Sequence, residues 1–378
     1  MKIVFFHPNI RHLRTTDVSH DAVEYGGGFS GTETALVQVG HALAQKGHSI
    51  HIVGMADHSY ENKGLYFWSL HHILADASFW GDVNIYCPLF YLHDQGHAAI
   101  LQMLNRNSVL VWLWYHCFIS DSSVEHFRSQ GWKLIASFVS EWQCKHCRLD
   151  WFLSSTCIGN GISPLFLEPS TLQTPNERAG NWIYHATMER GGSVAQRVLE
   201  YVNQRNPRAA HTLHYASYYA PDQNHRPTSS SCSIVLHGSL SKREVAALLG
   251  KSDYFVYPLV LPSGHVHHDT YGSVILEAIS RGVIVVTWNV ACIPTVYQKY
   301  VVAADPAAVH GYNADAPFGM NTWMLSDEAT AMLGEKVLWL ENNPGEKEEI
   351  RRRGMKWAQQ QTWEVRGTLY GEWLSQLS

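Results

Sequence analysis

Asp269 and Glu277 stand eight residues apart in the run His267-His-Asp-Thr-Tyr-Gly-Ser-Val-Ile-Leu-Glu-Ala278, where a polar turn passes into an apolar helical stretch that Gly282 ends. The amides of Tyr271, Gly272 and Ser273 at such a helix start would point at an anion. Gly272 would let a backbone come close, which is how a diphosphate is commonly held. Glu277, about one turn further in, has the two oxygens needed to accept from vicinal hydroxyls such as a ribose diol, and Asp269 on the lip is in reach of a sugar hydroxyl. The same spacing also fits a Glu277 on an exposed helix face and an Asp269 that is a loop residue or helix cap.

Other residues offer chemistry with less context. His116 ends the apolar run Leu110–Tyr115, and the carboxyl ends of parallel strands are where ligands bind. Cys144-Lys-His-Cys147 has zinc-like local spacing, but no second Cys or His pair stands at a matching distance and the segment reads as helix. His265-Val-His267-His268-Asp269 is a second cluster of metal-ligand types, and such a polar loop fits the lining of a pocket equally well.

The elements that must position these groups alternate. Lys2–Phe6, Thr34–Gln45 and Ser49–Gly54 read as strand, helix, strand, and Val83–Tyr86, Leu110–Tyr115 and Lys133–Val139 as strands covered on both faces. Ser30-Gly-Thr-Glu33 and Ser241-Lys-Arg-Glu244 carry the hydroxyl and carboxylate of a helix-starting capping box, with Gly47 and Gly250 closing those helices. Residues 164–180 are rich in Pro, Ser, Thr and Asn and read as an interdomain linker. The alternation then restarts, with strands expected at Trp182–His185, Thr212–Tyr215, Ser233–Leu236, Tyr254–Tyr257 and Val283–Thr287. Tyr218–Cys232 reads as a surface loop. Glu348–Arg352 and Glu349–Arg353 have helical spacing on what reads as a solvated face.

Taken together, these motifs resemble a retaining glycosyltransferase of the GT-B fold, close to glycosyltransferase family 4. An acidic residue, seven intervening residues and a Glu form that family's donor signature, and Asp269 and Glu277 hold the two places, with Asp where Glu is usual. Gly26-Gly27-Gly28-Phe-Ser-Gly31-Thr-Glu33, followed by Ala42-Leu-Ala-Gln-Lys-Gly47-His48, resembles the family's first glycine-rich loop and helix, facing donor phosphate and acceptor. Ser140-Glu-Trp-Gln143 and Gly159-Asn-Gly161-Ile162 resemble the end of its first domain.

Glu189-Arg190-Gly191-Gly192 resembles the place of a basic residue on the donor diphosphate, which assigns that role to Arg190; Tyr184 stands near the place of a second. His116 matches a His near donor sugar and acceptor, for hydrogen bonding or proton handling. His237-Gly238 matches a turn beside the nucleotide base. The resemblance implies an α/β chain of two Rossmann-like domains facing across a cleft. Residues 1–166 would be acceptor-side and 167–358 would bind the nucleotide sugar, with a final helix over 359–378 crossing back to the first domain.

Composition agrees with an ordinary globular protein and excludes other classes. A 378-residue chain with 46% apolar and 16% charged residues suits two domains with full cores. A net charge of −5 gives no basic field for nucleic acid. Seven scattered cysteines fit a reducing, cytoplasmic setting. Met1–Phe6 reads as a strand rather than a signal peptide, and the run Val109–Ile119 is too short to span a membrane.

The expected reaction transfers a sugar from a UDP- or GDP-sugar to an acceptor hydroxyl with retention, with no further cofactor. The acceptor would be a glycan, a lipid-linked sugar or a small molecule, and peripheral membrane contact stays open. The alternatives are a nucleotide-binding regulatory protein of weak catalysis and a nucleotide-sugar epimerase. An oxidoreductase fits poorly, because the glycine run lies some twenty residues beyond the first strand.

Overall fold

The computed structural model describes residues 1–6, 31–54, 59–62, 64–69, 73, 81–86, 110–116, 119, 121–129, 131–169, 172, 174–207, 211–217, 233–261, 263, 267–308 and 322–377. Gly27, Gly28, Ser30 of the first expected capping box, His265 and the expected loop Tyr218–Cys232 lie outside these residues. The described chain divides into two compact units. One holds the described residues up to Gly161 together with 363–377, and the other holds the described residues of Ile162–Thr362.

The first unit is built on β1 (Lys2–Phe6), β2 (Ser49–Gly54), β3 (Tyr60–Asn62), β4 (Leu65–Ser69), β5 (Val83–Tyr86), β6 (Leu110–Tyr115), β7 (Lys133–Phe138) and β8 (Ser154–Cys157). They form one sheet in the order β3-β4-β2-β1-β5-β6-β7-β8, in which only β3 runs antiparallel to its neighbour. The continuous apolar runs exist because both faces are covered. Ile3, Phe5, Trp112 and Trp114 pack into one core cluster with helix α1 (Gly31–Ala44), while Val4, Phe6, Val111, Leu113 and Tyr115 pack into another with α2 (Asp121–Ser129). A short α3 (Glu141–Lys145), capped by Ser140, follows β7. The C-terminal helix Trp363–Ser375 belongs to this unit and sets Tyr370 and Trp373 against Trp112.

The second unit carries β9 (Asn181–Tyr184), β10 (Thr212–Ser217), β11 (Ser233–Ser239), β12 (Tyr254–Tyr257), β13 (Ile284–Trp288) and β14 (Val302–Ala304). All pair in parallel, in the order β11-β10-β9-β12-β13-β14. The direction of winding reverses between β9 and β12. In such sheets a crevice opens at that switch point, beyond the carboxyl ends of the two strands. The helices are α4 (Gly192–Arg205), α5 (Lys242–Leu249), α6 (Ser273–Ser280), α7 (Asp327–Asn342) and α8 (Pro344–Ala358). The Ser241–Glu244 capping box opens α5, with Ser241 N–H donating to Glu244 at 2.8 Å and Glu244 N–H to Ser241 at 3.3 Å.

Two expectations change here. The segment read as a linker contains a 3-10 turn, Pro164–Leu167, and a short helix, Pro175–Arg178, whose buried Arg178 donates to the carbonyl of Arg281 at 2.7 Å. The charged face of α8 is not wholly solvated. Arg351 turns inward to Asp253 at 2.6 Å and to the Gly282 carbonyl at 2.7 Å. Its helical partner is Glu348, Arg352 pairs with Glu349, and Arg353 donates to the carbonyl of Lys299. Asp253 draws Arg351 inward, because a charge as buried as this carboxylate, 1% exposed, demands compensation.

Candidate active site

The carboxyl end of the second sheet gathers the charged residues. β9 passes through His185 into a 3-10 turn, Met188–Arg190, and Gly191 follows with φ of 109°, a conformation that favours glycine. A Cβ at Gly191 would also sit 3.0 Å from Cδ of Pro258, just after β12, so glycine permits the close approach of the two strand ends. Arg190 and Tyr257 then meet across the switch point in a side-chain hydrogen bond. The Tyr257 hydroxyl donates to Asp269 Oδ2 at 3.1 Å. Burial works against the Arg190 charge, but Tyr257 and the Asp269 carboxylate outweigh it and raise its pKa above the ordinary arginine value. His267, beside them, is pushed down by burial, against the pull of Asp269.

Asp269 also accepts from Gly272 N–H at 2.7 Å and Tyr271 N–H at 3.3 Å. Two of the three amides expected to meet an anion are therefore already turned onto this carboxylate. The polar turn folds back on itself because Gly272, with φ of 71°, reverses the chain just before α6. Tyr297 fixes that reversal by donating to the Gly272 carbonyl at 3.2 Å.

Glu277 sits on the buried side of α6 and not on an exposed face. Its Oε2 lies 3.6 Å from Nε2 of His185, whose ring packs on Phe255 with centroids 4.6 Å apart. Both carboxylates of the expected signature thus stand at the same end of one sheet as Arg190. Sequence reasoning missed Tyr257 and His185. Tyr257 read as one more apolar strand residue and His185 as the last residue of a strand; their only signal was position at strand ends.

The remaining expected residues lie elsewhere. His237 is not in a turn but inside β11, the outermost strand of this sheet, where its Nε2 is 3.0 Å from Nδ1 of His214. The strand extends to Ser239 because pairing with β10 skips His237 in a bulge, with Tyr215 opposite Leu236 and Ala216 opposite Gly238. Burial lowers the pKa of both histidines, and His237 adds to the lowering of His214. His116 belongs to the first unit, buried at the end of β6 with its ring edge-on to Trp114 at 4.4 Å.

Burial pushes the Cys147 thiol up to about 12 and the Cys144 thiol upward, which disfavours the thiolates a zinc site needs. Among the described residues no group of three or more His, Cys, Asp or Glu could hold a metal. No helix among them is long and apolar enough to cross a membrane.

No family model matches the chain, and no curated protein matches its sequence. Solved structures do match. A sucrose-phosphate synthase from Thermosynechococcus elongatus is similar over 100% of this chain and 98% of its own, with a TM-score of 0.67 and 12% identity. A glycosyltransferase from Rickettsia africae ESF-5 matches over 98% and 97%, with a TM-score of 0.63 and 12% identity. A UDP-forming α,α-trehalose-phosphate synthase from Burkholderia vietnamiensis matches over 99% of both chains, with a TM-score of 0.61 and 9% identity. The chain therefore has the α/β GT-B fold of these proteins. At such identities the likeness is one of fold.

Proposed function

We propose that the protein is a glycosyltransferase that moves a sugar from a nucleotide diphosphate, UDP or GDP, to an acceptor hydroxyl with retention of configuration. One observation carries the reading: Arg190, Asp269 and Glu277 converge at the switch point of the second sheet, where nucleotides bind in doubly wound sheets. Arg190, kept charged by its neighbours, would neutralise the departing diphosphate. Glu277 would accept from the ribose hydroxyls. Ser273, at the start of α6, would line the phosphate side. Asp269 is held by Tyr257 and by two amides, so its part would be to fix Arg190 and the turn as much as to touch the sugar. His116, in the other unit, is assigned to the acceptor, and residues 1–166 and 167–358 to acceptor and donor binding. The acceptor would be a glycan, a lipid-linked sugar or a small molecule.

The test is nucleotide release from a panel of UDP- and GDP-sugars, with and without sugar acceptors, comparing the native chain with Glu277→Ala. Loss of a charged hydrogen-bonding partner predicts a fall of about 10- to 100-fold in kcat/KM. Unchanged turnover would sink the assignment. A second reading, a nucleotide-binding protein of this fold with little transfer activity, is favoured by the engagement of Asp269 with its own loop. It predicts tight nucleotide binding with no release from any donor.

A further inference from the structure

His185 stands out among the buried groups of the second unit. It is 1% exposed, and neither ring nitrogen has a hydrogen-bond partner among the described residues. Buried polar atoms without partners are uncommon and costly, so one that persists calls for a reason. Phe255 fixes the plane of the ring, and the nearest carboxylate oxygen, Glu277 Oε2, is 3.6 Å from Nε2. That gap is just too long for a hydrogen bond, and a modest turn of the carboxylate closes it. The His185 side chain is wholly covered, so it cannot touch a ligand itself, whereas the Glu277 side chain keeps 11% of its surface open. Whatever His185 contributes to ligand binding passes through Glu277.

We propose that His185 is a positioning residue for nucleotide recognition. Its Nε2–H donates to one oxygen of Glu277 in the loaded site, and this aims the exposed edge of the carboxylate at the ribose diol. The inference rests on the reading of Glu277 as the ribose ligand. The unpaired nitrogen is then a contact waiting for the bound state, since catalytic and binding hydrogen bonds often tighten only when the site is filled. Sequence gave no hint of this, because His185 and Glu277 lie on β9's end and on α6, and only the parallel packing of the sheet brings them together.

The experiment measures binding of UDP and GDP, and of their 2′-deoxy and 3′-deoxy analogues, to the full chain and to His185→Phe, His185→Gln, Glu277→Ala and the double variant His185→Phe/Glu277→Ala. The native chain should prefer the ribonucleotide about 10- to 100-fold, the worth of a hydrogen bond to a charged group. His185→Phe should remove most of that preference while leaving the deoxy analogues bound as before. His185→Gln, which keeps an N–H donor, should restore part of it. The double variant should be no worse than Glu277→Ala alone, as expected of residues acting in series.

A merely structural His185 would weaken ribo and deoxy ligands alike, and that result overturns the proposal, as do additive effects in the double variant. The preference is a ratio within each folded protein, so should His185→Phe fail to fold, the ratio in His185→Gln decides: a value equal to that of the native chain, with both ligands weakened alike, overturns the proposal. A native chain that binds ribo and deoxy forms equally overturns the reading of Glu277 itself. A native chain that discriminates, with a His185→Phe variant that still does so, overturns only the role of His185.

Discussion

The two units bury polar groups in opposite ways. In the first, the buried polar contacts around Trp112, Trp114 and Tyr370 are neutral and pair with one another. Trp114 donates to the Tyr370 hydroxyl at 3.0 Å, which donates to the Ile158 carbonyl at 3.1 Å, and Trp112 donates to Ser137 at 2.7 Å. The second adds buried contacts that are ionic. Asp253 takes Lys347 and Arg351, both at 2.6 Å, and Arg190 reaches Asp269 through Tyr257. Neutral pairs add modestly to stability and tolerate loss. Buried charges are costly to strip of a partner, and they are also what a charged ligand requires. The second unit thus combines a structural ionic set behind the sheet, between β12 and α8, with another at the carboxyl ends of β9 and β12.

The comparison is broken most directly at Asp253. Asp253→Ala leaves Arg351, itself buried, and Lys347 without their shared carboxylate. Losing one partner of a buried ion pair costs about 3–5 kcal/mol. The expected loss is near the lower end, about 3 kcal/mol, because Glu348 still pairs with Arg351 and Glu341 with Lys347. Amide hydrogen exchange should show lost protection in β12 and β13 while β6 and β7 of the first unit stay unchanged. Equal loss in both units would mean that the ionic set does not stabilise its own sheet.

That ionic set also marks the limit of what sequence reveals. Most strands of both sheets were legible as apolar runs, because parallel strands covered on both faces need them, whereas β3, β4, β8 and β14 were not expected; the Ser241 capping box was legible because both partners lie within one turn. Arg351 was misread because the run 346–356 has the spacing of a solvated face and its true partner is 98 residues earlier. The same holds at the site. Asp269 and Glu277 announced themselves by local spacing. The engagement of the Tyr271 and Gly272 amides by Asp269 depends on the left-handed turn at Gly272, and the pairing of Tyr257 with Arg190 depends on strand order.

The neutral pairs of the first unit predict a smaller effect. Tyr370→Phe removes the acceptor of Trp114 and the donor to Ile158 in a buried setting. The expected cost is about 1–2 kcal/mol, since the aromatic packing of Tyr370 on Trp112 remains. Denaturant midpoints read through Trp fluorescence should fall with the slope unchanged, and β6 and β7 should lose protection while β12 keeps it. A cost above that of Asp253→Ala would reverse the contrast between the units.

The smallest expected effect sharpens the comparison by pH, because both units contain the same motif, an indole donating to a buried imidazole. Trp68 donates to Nδ1 of His51 at 2.9 Å, and Trp182 donates to Nδ1 of His211 at 3.2 Å. Nδ1 is therefore the unprotonated nitrogen in each ring, and protonation there breaks the bond. Burial, with Lys2 adding to it, pushes His51 down to about 4. Burial also lowers His211, but there Glu341 and Asp253 pull the other way. A histidine with a depressed folded pKa binds fewer protons folded than unfolded. The stability it contributes is complete above the unfolded value near 6.5 and is lost as pH falls from there towards the folded value. For His51 the loss at pH 6 is just under about 1 kcal/mol and grows towards pH 4. Hydrogen exchange followed from pH 7 to pH 5 and corrected for intrinsic rates should show β2 and β4 destabilising more steeply than β9 and β10. His51→Gln should flatten the slope in β2 and β4, whereas His211→Gln should change β9 and β10 less. Equal slopes at the two sites would show that the carboxylates near His211 give it no protection from acid, and would remove the electrostatic part of the contrast between the units.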